Sequence, residues 1–266
     1  MRVAAVQLSS SADRTANLEA ADRLVRDAAG RGARLIVLPE KWPALSDAPL
    51  AEAFDGPALS WARAAARELE VDLVAGSLTE DVEGAERHAN TCVHVGPDGH
   101  DRAIYRKIHM FDVDVAGRSY RESAHEAPGN KVIVSRTADG TGLGLAVCYD
   151  LRFPELFRAL ATDGAQIVTL PAAFTETTTR AHWDTLVRAR AIEQQCAVIA
   201  ANQCGEHAPG MRSGGRSMIV DAWGTVLASA PEAGEAVVFA ELDLESQARI
   251  RREFPVQEHL RPGVYA

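Results

Sequence analysis

Cysteine is scarce in this 266-residue chain, and its four copies, Cys92, Cys148, Cys196 and Cys204, form no C-x-x-C pair. Thiols so scattered suggest neither a zinc site nor a disulfide framework, and they fit a reducing cytoplasm. No stretch approaches the roughly 18 to 20 apolar residues of a membrane span. The apolar part of Met1–Leu8 is too short for a signal peptide and reads as a first strand. No run of basic residues offsets the formal net charge of −9, so the electrostatic footprint of a nucleic-acid or anionic-membrane binder is missing. The expected partner is a small molecule or another subunit. Eight histidines without paired spacing argue against a metal centre, and no cofactor is expected. G-x-S-x-G is absent. Gly140-Thr141-Gly142-Leu143-Gly144 imitates a dinucleotide loop but precedes a strand, so it reads as a turn.

What is present describes an ordinary globular protein. Hydrophobic residues make up 47% and charged residues 24%, enough to bury a substantial core and too apolar for disorder. Strand-like runs alternate with helical ones: Val3–Leu8, a helix over Thr15–Gly30, Ala33–Leu38, a helix over Leu59–Glu70, and Asp72–Gly76. This βαβαβ rhythm predicts a layered α/β fold. A hairpin follows, Asn90–Val95 and Asp101–Lys107 around Pro97-Asp98-Gly99. Further strands are predicted over 132–135, 143–148, 166–170, 196–202, 217–221, 225–229 and 236–242, and helices over 154–162, 181–195 and 245–253. Residues 112–130 and 205–215 read as long loops of the kind that build sites. Without a repeat, a low-complexity tract or a linker, the reading is one domain over 1–266.

Chemistry concentrates at strand ends. The apolar run Leu143–Val147 stops at Cys148, and Pro154 marks the first turn of the next helix, a geometry that presents a thiol above a sheet edge. Free amides at such a turn can stabilise a thiolate or an oxyanion. A lone cysteine is more often core packing. Two other strands deliver charges, Leu35-Ile36-Val37-Leu38-Pro39 ending at Glu40 and Ala103-Ile104-Tyr105-Arg106 ending at Lys107. A carboxylate, an ammonium and a thiol on one rim have distinct jobs in acyl transfer. Cys196 and Cys204 sit in or beside an apolar strand and are assigned to packing.

Leu38-Pro39-Glu40, Tyr105-Arg106-Lys107-Ile108-His109 and Ala146–Glu155 resemble, in order, the three signature blocks of the nitrilase, or carbon-nitrogen hydrolase, superfamily. The resemblance runs nearly end to end, through Phe111–Val115, Ala181-His182-Trp183, Arg188–Glu193, Ser217–Gly224 and Arg261-Pro262. It is strongest toward the branch holding deaminated-glutathione amidase and ω-amidase. It implies a four-layer αββα sandwich, a homodimer, and cofactor-free hydrolysis of a terminal amide of a small 2-oxo acid through a cysteinyl thioester, releasing ammonia. The ω-amidase action on 2-oxoglutaramate, or another aliphatic amidase or nitrilase activity, is the alternative. A non-catalytic binding protein and a redox-sensing thiol are the readings of other classes.

By this resemblance Cys148 is the nucleophile and Glu40 the base that takes its proton, since a thiol near pKa 8.5 is only partly ionised at neutrality. Lys107, with the backbone N–H of Tyr149, would hold the oxyanion. Glu122 would position Lys107 or the substrate, with a salt-bridged loop carboxylate as the alternative. Arg152 would grip the substrate carboxylate through its guanidinium fork, or else pair with Asp150 or Glu155. Ala116 replaces the usual proline before Gly117. Arg216 and Thr179-Arg180 also depart from the branch's pattern and are expected to shape the pocket rim, and Glu176 adds a carboxylate to the same loop that would disfavour a second anionic group on the substrate if it faces the cavity.

Overall fold

The computed structural model describes residues 1–265, leaving Ala266 outside it. Two mixed sheets form the interior. In the first, the strands run in the order Ala236–Glu241, Arg2–Gln7, Leu35–Val37, Asp72–Val74, Ala89–Val95, Leu78–Glu80, with Asp101–Arg106 also paired to Ala89–Val95. The second runs Val226–Ser229, Met218–Val220, Ala197–Asn202, Ile167–Ala172, Gly142–Leu145, Val134–Arg136. The centre of each is parallel: Arg2–Gln7 with Leu35–Val37 and Asp72–Val74, and Gly142–Leu145 with Ile167–Ala172 and Ala197–Asn202.

The layers follow from side-chain alternation along strands that are apolar on both faces. Val3, Ala5, Leu35 and Val37 face the second sheet and join Leu143, Leu145, Ile199 and Ala201 in one buried cluster. Their neighbours Ala4, Val6, Ile36 and Leu38 point the other way, onto the helices Arg14–Gly30 and Pro57–Leu69 through Leu24, Val25, Leu59 and Ala62. On the far side, helices Pro154–Thr162 and Asp184–Gln194 cover the second sheet with Phe157, Leu160, Val187 and Ala191. The result is the expected αββα sandwich. Among the described residues no helix is long and apolar enough to cross a membrane.

Several local expectations change. Residues 112–130 are not a plain loop: Asp112–Val115 and Arg118–Arg121 form a hairpin, followed by a 3₁₀ turn at Glu122–Ala124. Ala116 at its tip has φ +52°, a value closed to proline, whose ring fixes φ near −65°. Residues 205–215 belong to a second hairpin, Cys204–Ala208 with Met211–Gly214. The short strand Leu78–Glu80 has no counterpart in the sequence reading. The helix expected from Ala181 begins at Asp184, preceded by a π turn at Thr179–Trp183.

Candidate active site

Topology brings the chemistry together at the carboxyl ends of strands, where parallel sheets place their sites. Leu38 extends the strand Leu35–Val37, its N–H donating to the Val74 carbonyl at 3.0 Å, and Glu40 follows two residues later. Asp101–Arg106 reaches the same rim because two antiparallel steps, through Ala89–Val95, restore the direction of Asp72–Val74. Lys107 N–H then donates to the Asn90 carbonyl at 2.9 Å. From the second sheet come Cys148 and, after Ile167–Ala172, the backbone of Ala173.

Lys107 is the hub. Its Nζ donates to Glu40 Oε1 at 2.9 Å and to Glu122 Oε1 and Oε2 at 2.9 and 2.8 Å, while its side chain is only 1% exposed. Glu40 Oε1 also accepts from Asn90 Nδ2 at 2.9 Å, and its Oε2 accepts from Ala173 N–H at 2.9 Å. Glu122 is engaged further: its Oε1 also accepts from Asn90 Nδ2 at 3.2 Å and its Oε2 from Phe111 N–H at 2.7 Å, which makes two donors on each oxygen, whereas Glu40 Oε2 takes one. A carboxylate with two donors on each oxygen is a poor proton acceptor and fixes the position and charge of its partner; Glu40 keeps a lone pair for a proton. Burial pulls the Lys107 ammonium toward neutrality, but Glu122 and Glu40 overrule it and hold its pKa well above the usual lysine range. Burial works against the Glu122 charge too, and Lys107 and Lys41 hold that carboxyl well below the usual range.

The thiol is more enclosed than its place at a strand end suggests. Cys148 is 7% exposed and lines a cavity of about 350 Å³ together with Glu40, Lys107, Glu122 and Tyr149. It sits at φ +48°, a left-handed conformation costly for a side chain with a Cβ, which turns the thiol off the strand axis. The chain after it is a 3₁₀ turn, Cys148–Arg152, before the helix at Pro154 begins. Asp150, fully buried, ties the turn down: its Oδ2 accepts from the Tyr105 hydroxyl at 2.7 Å and Val147 N–H at 2.8 Å, and its Oδ1 from His109 N–H at 3.2 Å. Burial and the charge of Glu40 push the Cys148 thiol well above its ordinary pKa, with Lys107 opposing. The resting thiol is therefore protonated, beside a carboxylate able to take that proton.

A family model described as carbon-nitrogen hydrolase matches residues 2–252. The chain belongs to the carbon-nitrogen hydrolase family. The human protein named deaminated glutathione amidase is 41% identical to it over 272 residues, spanning 99% of this chain and 83% of that protein. Human omega-amidase NIT2 is 37% identical over 270 residues, spanning 100% of this chain and 96% of that one. Among solved structures, the C. elegans NitFhit protein is similar at TM-score 0.92 and 37% identity, over all of this chain and 66% of that one.

Within this carbon-nitrogen hydrolase, Glu40, Lys107, Glu122 and Cys148 lie around one cavity, which Tyr149 also lines. Arg152 stands apart. Its guanidinium lies over the Phe174 and Tyr149 rings at 5.1 and 5.8 Å and 3.4 Å from His182 Nδ1. Neither Asp150 nor Glu155 pairs with it, and among the described residues no carboxylate forms an ion pair with it, whereas Arg118, Arg121 and Arg212 on the cavity wall are all paired with acids. Glu176 does not face the cavity; it bridges Arg180 and Arg212. Arg216 pairs with Asp184, and the Thr179 hydroxyl donates to the Phe174 carbonyl at 3.0 Å, so both act behind the wall. Cys196 and Cys204 are buried, as packing predicts.

Sequence reasoning passed over Asn90, Asp150, Lys41 and Glu126. Asn90 had one available signal: the predicted hairpin places it opposite Lys107, where side chains share a face. The other three look like ordinary loop charges until the fold buries Asp150 and Glu126 and half-buries Lys41.

Proposed function

We propose that this chain is a cysteine amidohydrolase acting on a small 2-oxo acid amide. The observation that carries the reading is the buried Lys107 ammonium clamped between Glu40 and Glu122 in the cavity that holds Cys148. Glu40 takes the Sγ proton as the sulfur attacks the amide carbon. The developing oxyanion is held by Lys107 Nζ and the Tyr149 N–H, one of the first amides of a helical turn and so without an intrahelical acceptor. As the C–N bond breaks, Glu40 returns the proton to the departing nitrogen, leaving a thioester. Glu40 then deprotonates a water that attacks the thioester, and the acid departs with the thiol restored. Glu122 acts through Lys107 as a positioning residue. Arg152 grips the substrate carboxylate; its lack of an acid partner favours that role.

Deaminated glutathione is the first candidate substrate and 2-oxoglutaramate the second. Their leaving groups differ in kind. The unsubstituted ω-amide of 2-oxoglutaramate releases ammonia, whereas the amides of a deaminated tripeptide are substituted and release an amine. The ammonia expected from sequence therefore belongs to the second substrate alone. The chain works as one domain over 1–266, as a homodimer in a reducing cytoplasm. Exposed apolar side chains at Ile192, Trp223 and Phe254, and four unpaired thiols, support those assignments. Both substrates should be offered side by side, with 2-oxo acid, ammonia and free amine measured. Turnover of at least one, lowered chiefly through a raised KM in Arg152→Ala, is expected. No hydrolysis of either substrate contradicts the reading.

A further inference from the structure

The residue after the proposed base is placed with unusual care. Lys41 sits at φ +50°, which for a residue with a Cβ is strained, and its N–H donates to Ser77 Oγ at 3.2 Å. Its Nζ is 2.9 Å from Glu126 Oε1 and 3.7 Å from Glu122 Oε1. Glu126 is one turn beyond Glu122, its N–H donating to the Glu122 carbonyl at 2.9 Å, and its side chain is 1% exposed. Glu126 Oε1 also accepts from the Thr79 hydroxyl at 3.0 Å. Among the described residues Glu126 Oε2 has no hydrogen-bond partner, although it is buried. Lys41, Glu126 and Thr79 all line the cavity that holds Cys148.

A buried carboxylate oxygen without a donor is costly, and in a ligand cavity its natural complement is a hydrogen-bond donor on the ligand. We propose that Lys41 and Glu126 form a leaving-group subsite that reads a second, peptide-like amide, with Glu126 Oε2 accepting its N–H and Lys41 Nζ donating to its C=O. The inference rests on the 2-oxo acid amide reading, and the chemistry of that substrate class assigns the side. The acyl part of such a substrate, a ketone and a carboxylate, contains only acceptors. An acceptor on the wall is matched only by N–H groups at or beyond the scissile nitrogen. Lys41 supplies the complementary donor, an ammonium with three N–H bonds and, among the described residues, two carboxylates within reach. Arg152 lies elsewhere, over the rings of Tyr149 and Phe174, which line the cavity although Arg152 itself does not, and it is left for the acyl carboxylate.

The subsite favours a substituted amide whose amine is a dipeptide over an unsubstituted one. The test compares kcat/KM for deaminated glutathione and for 2-oxoglutaramate in the wild type, Glu126→Gln and Lys41→Met. In the variants the ratio of the two values is expected to fall about tenfold, the effect of losing one hydrogen bond to a charged group. Equal loss on both substrates overturns the subsite and makes the pair a support for Glu122. An unchanged ratio with unchanged rates also overturns it. To separate binding from misfolding, calorimetry with the leaving-group dipeptide on Cys148→Ala, with and without Glu126→Gln, should show about tenfold weaker binding in the double variant. Equal binding contradicts the subsite. Wild-type inactivity on both substrates is a different result, one that removes the functional reading and the subsite with it.

Discussion

Lys107 has two tasks that a single substitution separates poorly but measurably. Lys107→Met removes an oxyanion donor, for which a loss of about 10²–10³ in kcat is typical. It also leaves Glu40 and Glu122 buried without their cation, a cost of about 3–5 kcal/mol. Both losses are expected, one in steady-state kinetics and the other in the urea midpoint; intact turnover contradicts the oxyanion role. The same cluster sets a pH window. Glu122 is acidified below its ordinary 4.5, so its stabilising contribution is complete above that pH and is lost as pH falls through the folded value. Lys107 is raised above its ordinary 10.5, so its contribution is complete below that pH and is lost as pH rises through the folded value. The stability gap between wild type and Glu122→Gln should therefore stay flat from about pH 5 to 10 and shrink in more acid solution. A gap unchanged at about pH 3 contradicts the depressed carboxyl. Glu40, Lys107 and Cys148 were legible because short motifs carry them at strand ends. Lys41 and Glu126 were not, since only the fold reveals that Glu126 is buried and Lys41 half-buried beside it.

Elements hold these residues in place through a few close approaches. Gly76, at φ +54°, lies directly under the chain that delivers Glu40: a Cβ there would meet the Pro39 carbonyl oxygen at 2.1 Å and Trp42 Cδ1 at 2.7 Å. Backbone cannot yield as a flexible side-chain tip can. Gly76→Ala should lower the melting temperature and reduce kcat by displacing Glu40, although residue 76 itself carries no chemistry; wild-type turnover would contradict this coupling. The strands and helices flanking the site were readable from apolar runs and from Pro154. The hairpins at 112–121 and 204–214 were not, because their strands are short and largely polar: Asp112, Asp114, Arg118 and Arg121 carry little apolar alternation. The left-handed turn at Cys148 was equally hidden. It depends on Asp150 gathering donors from Tyr105, His109 and Val147, a contact between distant segments.

At the scale of the whole molecule, the alternation of strand and helix made a layered α/β fold legible, and the αββα arrangement came from the resemblance to the nitrilase superfamily; the structure shows its cause, central strands apolar on both faces, so that each sheet takes a cover on each side. Among the described residues the surface carries an exposed aromatic pair. Trp223 and Phe254 are 62% and 60% exposed and pack edge to face at 6.4 Å, beside the half-exposed Ile192. In the proposed homodimer this patch is covered, so Trp223→Glu should shift sedimentation toward the monomer, and a monomeric wild type contradicts the assignment. The central claim is covalent catalysis by Cys148 with Glu40 and Lys107. Its most direct test is intact-protein mass spectrometry after acid quench during turnover of a 2-oxo acid amide. The account predicts an added acyl mass localised to Cys148 and absent, with turnover, from Cys148→Ala. Full turnover by Cys148→Ala would contradict it.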